Sequence, residues 1–329
     1  MNRLLIVRGC DLGELPFEML PFGPRSGASF SRSHFNYMVQ KFEISYRYAA
    51  GFSRVVKDTI RSAFPFLFAI GSDVPIRSEA KPFSTSLLRS DSSGRPLHDI
   101  HSQINSELQW LKSEFGRSAL VLMDAEATKE NLLHFAEGSA VIHIASHSRI
   151  RVGTTESGSI LLSSGGGSGI SDFLRICDVL KMKTAAQLVV LSSCRTALQP
   201  EAYSRTDYAK SFLIAGAASV LASLWDVDDA STDKLMRSFY KHLRSGARKS
   251  EALQAAKRDL IDDGLENPYY WASFILIGDD GPVRFPTDCE TKPLFSWIYG
   301  AIMVAFIALW VALCFRALPL KRESVLRHR

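Results

Sequence analysis

The chain has 329 residues, 46% hydrophobic and 22% charged, which is enough for one large core or two ordinary ones. Its net charge of +5 is mild, and no Lys/Arg block carries interleaved aromatics, which argues against direct nucleic-acid binding. The five cysteines (Cys10, Cys177, Cys194, Cys289 and Cys314) are odd in number and lack Cys-x-x-Cys spacing, which argues against a disulfide framework or zinc site and fits a reducing compartment.

Met1 to Arg8 holds too short an apolar core for a secretory signal. Leu4 to Val7 reads as a strand, Glu14 to Pro21 as a compact apolar turn, and Phe42 to Tyr48 as a strand by alternation of Phe42, Ile44 and Tyr46. A short helix is expected over Phe52 to Ser62 and a strand over Phe64 to Ile70. The Ser-, Pro- and Arg-rich stretch Ser72 to Pro96 reads as loop. Leu97, Ile100, Ile104, Leu108, Leu111 and Phe115 recur at helical spacing, and Ala119 to Met123 follows as a strand. Thr128 caps a helix running to about Glu137.

The next strand, Ala140 to Ser146, is apolar and delivers His147 at its carboxyl end. His143, within that strand, reads as a core histidine. Ile160 to Leu162 is a short strand between the loops Arg149 to Ser159 and Gly165 to Gly169. The glycine cluster is no phosphate cradle, because no Lys-Ser/Thr follows it. Asp172 to Met182 reads as helix. Leu188 to Leu191 is short, unbroken and β-branched at its centre, as expected of a strand buried on both faces of a parallel sheet. Cys194 sits where that strand releases the chain. Helices are expected over Tyr208 to Ala217, Asp228 to Leu243 and, capped by Ser250, Ser250 to Ile261. Strands are expected over Ser219 to Leu224 and Trp271 to Gly278. Strands alternating with helices imply βαβ units and a mostly parallel sheet. In such sheets ligands bind at the carboxyl ends of the strands. One strand ending near a thiol and another near an imidazole places a nucleophile and a base on one edge.

Leu294 to Phe315 is 22 residues without a charge, long enough for a hydrocarbon core of ~30 Å. Trp297, Tyr299 and Trp310 suit the interfaces, and Arg316, Lys321, Arg322, Arg327 and Arg329 follow. The expected organisation is a folded domain over 1–287, a linker over 288–293, a transmembrane helix over 294–316 and a basic tail over 317–329. Two rules conflict on topology. A large domain made before the helix emerges stays in the cytoplasm, whereas the basic tail favours a cytoplasmic carboxyl terminus and a periplasmic domain. The expectation adopted is a single-pass membrane protein with its domain cytoplasmic, at the inner membrane if bacterial.

Several blocks together resemble the CHAT family, caspase-like cysteine peptidases of the caspase, separase and gingipain group. They are Glu14-Leu-Pro-Phe-Glu18, His143-Ile-Ala-Ser-His147, Leu191-Ser-Ser-Cys-Arg-Thr-Ala197, the run Ala215 to Asp229, Phe239-Tyr240 with Leu243, Glu251-Ala-Leu253, and Pro268 to Asp279. Each is weak alone, but they occur in the family's order over nearly the whole domain. The resemblance implies a caspase-like α/β sandwich with helices on both faces of the sheet. It also implies a Cys194–His147 dyad, and an oxyanion site formed by the backbone N–H groups of Cys194 and Ser148. Asp226 becomes a candidate for the substrate pocket. No cofactor or metal is implied.

The implied activity is that of a membrane-anchored cysteine endopeptidase. It would cut a protein substrate under the control of a sensor or activator protein, in a bacterial defence or cell-death system with a gasdermin-like protein as one possible substrate class. Ser148 stands where the family usually has glycine and Arg195 where glutamate is common. These departures motivate the alternative, a pseudoprotease acting as a membrane scaffold or adaptor.

Overall fold

The computed structural model describes residues 2–7, 15–22, 36–48, 65–72, 97–146, 148–149, 159–165, 171–192, 206–225 and 228–285. Its frame is an eight-stranded sheet. The strands are β1 (Asn2–Val7), β2 (Phe42–Arg47), β3 (Leu67–Ser72), β4 (Ala119–Met123), β5 (Val141–Ser146), β9 (Leu188–Leu191), β10 (Ser219–Ser223) and β11 (Phe274–Gly278). A smaller antiparallel sheet holds β6 (Ser148–Arg149), β7 (Ser159–Ser163) and β8 (Ser171–Leu174). The large sheet has the order β1-β2-β11-β10-β9-β5-β3-β4, and every neighbouring pair is parallel except β10–β11.

The helices are α1 (Leu97–Phe115), α2 (Lys129–Ala136), α3 (Ile176–Lys181), α4 (Thr206–Ala215), α5 (Asp229–Arg244) and α6 (Lys249–Asp262). They lie on both faces of the sheet, because successive residues of each central strand feed opposite cores. Val141 and Ala145 of β5 pack with Leu108 and Leu111 of α1, Phe239 and Tyr240 of α5 and Ala256 of α6. Ile142 and Ile144 pack into the other core with Leu132 of α2, Val179 of α3 and Phe212 of α4. Central strands β3, β5 and β9 are buried on both faces, which is why they read as continuous apolar runs. Gly71 permits the close approach of β3 to β5: a Cβ there would meet Ala145 O at 2.3 Å.

Several local expectations need correction. Asp172 to Leu174 is strand rather than helix, because it pairs antiparallel with β7; α3 begins only after Arg175, whose N–H donates to Asp178 Oδ2 at 3.0 Å. The α6 cap falls at Arg248, two residues before Ser250, whose hydroxyl instead donates to Glu43 Oε2 at 3.1 Å. The last strand starts at Phe274, since Pro268–Tyr270 form a 3-10 turn capped by Asn267. The expected helix over Phe52 to Ser62 and almost all of the Ser72 to Pro96 loop lie outside the described residues.

Two buried ammonium groups tie α6 to the rest. Lys257 Nζ lies 3.1 Å from Glu18 Oε1, and Tyr46 donates its hydroxyl to the same carboxylate. Lys249 Nζ donates to Gln187 O at 3.0 Å and to Asp279 Oδ2 at 2.9 Å. Burial pulls both ammonium groups below their ordinary range, against the upward pull of Glu18 and Asp279. The buried Glu18 thus explains the apolar turn around it: the turn carries a carboxylate into the core.

The chain divides into two compact units, Met1–Phe285 and Pro286–Arg329, and every described residue lies in the first. Among the described residues no helix is long and apolar enough to cross a membrane; the segment 294–316 lies outside them.

Candidate active site

β5 and β9 are adjacent and parallel, in register from Val141↔Leu188 to Ile144↔Leu191. The pairing continues one residue past β9, where Ser192 N–H donates to Ile144 O at 3.0 Å. β10 lies on the other side of β9 and runs the same way. Three parallel strands therefore release the chain along one edge. His147 is the residue after β5, Cys194 follows β9 by three residues, and Asp226 follows β10 by three. His147, Cys194, Arg195 and Asp226 themselves lie outside the described residues, and only the backbone of Ser148 is described.

The anchoring points around that edge are built from hydrogen bonds rather than from packing alone. Ser146, the last residue of β5, donates its hydroxyl to Leu161 O of β7, so the small sheet is tied to the strand that leads to His147. Ser148 pairs with Ile160 in β6–β7, an extended backbone conformation open to any residue. After β10, Leu224 N–H donates to Ser273 O at 2.8 Å and Trp225 Nε1 donates to Tyr269 O at 3.2 Å, fixing the chain immediately before Asp226.

Beneath the β5–β9 edge sits a buried polar cluster. Ser192, with no exposed surface, donates its hydroxyl to Glu107 Oε1 of α1 at 2.6 Å. His143 Nε2 lies 3.2 Å from the same oxygen. That approach is poorly directed, so Nε2 makes no regular hydrogen bond despite its ion-pair distance. His143 Nδ1 lies 3.0 Å from the Tyr240 hydroxyl on α5. Burial, and then the Glu107 charge, push the Tyr240 phenol well above its ordinary range, so it stays protonated beside Nδ1. The expectation that His143 is a core histidine holds: it is fully buried, with its partners on α1 and α5.

A second layer braces Glu107's helix against α5. Arg237 donates to Asp233 Oδ1 at 2.8 Å and to Ser106 Oγ at 3.0 Å, and its guanidinium lies 5.4 Å from the Trp110 ring centroid. Glu107 has no part in the sequence reading, and Ser192 and Tyr240 enter it only inside family-like blocks, without a site role. Glu107 had a signal: it falls three residues after Ile104 and next to Leu108, on the apolar face of α1, where a carboxylate needs a buried partner.

The fold and edge geometry thus define an α/β domain with a mostly parallel sheet, braced at its carboxyl edge where functional residues of such sheets sit. A family model for the CHAT domain matches residues 1–279, and the chain belongs to that family. Human tetratricopeptide repeat protein 28 is 34% identical over 130 residues, covering 37% of this chain and 5% of that protein. The mouse protein of the same name is 34% identical over 116 residues, again covering only 5% of its length. Among solved structures, the Saccharomyces cerevisiae separase–securin complex has 15% identity and a TM-score of 0.39, covering 66% of this chain and 12% of that one. The Arg-specific cysteine proteinase gingipain R has 12% identity and a TM-score of 0.44, covering 86% and 64%. The complex of Porphyromonas gingivalis RgpB pro- and mature domains has 10% identity and a TM-score of 0.47, covering 86% and 65%. The fold rests on the topology above rather than on these overlays.

Proposed function

We propose that the chain is a caspase-like cysteine endopeptidase with Cys194 as nucleophile and His147 as base. The observation that carries this reading is the adjacency of β5 and β9, parallel strands whose carboxyl ends lead within three residues to His147 and Cys194. His147 takes the thiol proton, and the thiolate attacks the substrate carbonyl. The oxyanion is held by the N–H groups of Cys194 and Ser148. His147 then gives its proton to the leaving amine, and water, activated by the same imidazole, hydrolyses the thioester. Asp226, released beside Cys194 by β10, lines the substrate pocket in this reading.

The remaining parts of the proposal are supported by sequence pattern and family membership. Residues 294–316 form a membrane helix behind a cytoplasmic domain. An activator protein gates the enzyme. The substrate is a protein at the same membrane, where anchoring raises the local concentration of enzyme. A role in bacterial defence, with a gasdermin-like substrate, belongs to the same reading. The test is labelling of the full chain with a thiol-reactive peptide probe in wild type, Cys194→Ala and His147→Ala. Loss of labelling in both variants is expected. Labelling that ignores both substitutions would overturn the dyad and favour a scaffold.

A second reading, a pseudoprotease adaptor, draws on Ser148 and Arg195. Ser148 counts less than its sequence suggests, because its extended backbone does not need the conformational freedom of glycine. Arg195 keeps the alternative open to the same labelling test.

A further inference from the structure

The cluster under the β5–β9 edge joins two strands through one atom. Glu107 Oε1 accepts from Ser192 Oγ at 2.6 Å and faces His143 Nε2 at 3.2 Å. Ser192 lies two residues before Cys194, and His143 four residues before His147. We propose that Glu107 is a positioning residue for the dyad: through Ser192 and His143 it sets the relative register of the strand exits that carry the thiol and the imidazole. The inference rests on the peptidase reading and adds residues that never touch substrate.

Three observations support it. First, Ser192 is held at both its backbone and its side chain, by Ile144 O and Glu107. The last described residue before Cys194 is therefore anchored at two points, one on β5 and one on α1. Second, Glu107 is nearly fully buried and its described partners at Oε1 are a hydroxyl and an imidazole, not a lysine or arginine. A carboxylate left in the core on those terms is costly as a staple, but its Oε1 stands between the residue after β9 and a side chain of β5, well placed to couple the two strands. Third, its helix is fixed independently. Arg237 reaches Ser106 at 3.0 Å and Arg244 donates to Glu114 O at 2.8 Å, so α1 is clamped to α5 on both sides of Glu107. The charged groups facing the cluster from α5 are Asp233 and Arg237. Burial raises the Asp233 carboxyl; Arg237 opposes the rise and Glu107 adds to it.

The readout is the pH profile of Cys194 itself. An imidazole at hydrogen-bond distance depresses a thiol below its free value of about 8.5, and a displaced imidazole does not. The rate of iodoacetamide alkylation at Cys194 is to be measured by peptide mass spectrometry across pH in the full chain. Wild type is expected to show a depressed midpoint that His147→Ala returns to the free value. Ser192→Ala, which removes one oxygen, is expected to raise the midpoint and slow labelling near neutral pH by about tenfold; Glu107→Gln should do the same. Ser250→Ala is the matched control. It breaks a buried Ser–Glu bond between α6 and β2, three strands from β9 in the sheet order, and leaves the profile unchanged.

A depressed midpoint unaltered in a folded Ser192→Ala variant would overturn the positioning role while leaving the dyad standing. A wild-type midpoint at the free value, indifferent to His147→Ala, would remove the dyad and this inference with it. If Glu107→Gln fails to fold, Ser192→Ala decides alone.

Discussion

Two buried carboxylates are handled in opposite ways. Glu18 is met by a full ammonium charge, Lys257 at 3.1 Å, and by the Tyr46 hydroxyl, which in turn accepts from Phe17 N–H at 2.8 Å. Glu107 is met by a serine hydroxyl and an off-line imidazole. The first cluster closes upon itself and locks the N-terminal turn to β2 and α6. The second spans α1, α5, β5 and the exit of β9, and stops short of full compensation. In the first cluster the buried charge meets an opposite charge, and in the second the carboxylate meets only a hydroxyl and an unbonded imidazole nitrogen. The difference separates a staple from a support.

The largest effect is expected on the staple. Lys257→Met leaves Glu18 buried without its counter-charge and is expected to cost about 3–5 kcal/mol in denaturant-induced unfolding. The double variant Glu18→Leu with Lys257→Met should recover much of that loss, because it removes both charges together. A single Lys257→Met that unfolds like wild type would mean that the pair is not buried in solution.

A matched pair of tyrosines sharpens the contrast. Tyr46→Phe removes a hydroxyl with partners on two residues and strands part of the Glu18 carboxylate, so a loss of about 1–3 kcal/mol is expected. Tyr240→Phe removes the hydroxyl that meets His143 Nδ1 and should cost about 1 kcal/mol. Equal losses in thermal unfolding would erase the distinction between the clusters.

The smallest effect belongs to the rim, which sets a scale for both clusters. Burial alone would raise the Asp280 carboxyl, but the hydrogen bond and charge of Arg3, with the charge of Arg248, bring it below its ordinary 3.8. A folded value below the unfolded one means that the stabilisation is present above 3.8 and is lost as pH falls through the lower folded value. Arg3 is 45% exposed, so the contribution is under about 1 kcal/mol. Arg3→Ala should flatten the acid limb of the stability curve, and an unchanged limb would show that the pair is absent in solution.

What the sequence made legible follows the same division. Val141 to Ser146 and Leu188 to Leu191 were readable as strands because burial on both faces leaves an unbroken apolar run, and their order with intervening helices implied a parallel sheet. Family-like blocks pointed to the same edge. The helix expected over Asp172 to Met182 absorbs the strand residues Asp172 to Leu174 because so short a piece shows neither period clearly; its pairing with β7 is what decides it. The bond of Glu107 to Ser192 is hidden because it spans 85 positions, and a glutamate on a helix reads as surface until its facing element is known. The pairing of Glu18 with Lys257, 239 positions apart, is hidden for the same reason.

The central claim is that the β5 and β9 exits bring His147 and Cys194 together. The most direct measurement is a crystal structure of the full chain covalently trapped by a peptidyl thiol-reactive inhibitor. The account predicts the inhibitor on Cys194 Sγ, with a His147 ring nitrogen within about 3–4 Å of the sulfur. Modification at another cysteine, or an imidazole turned away beyond any hydrogen-bond reach, would contradict it.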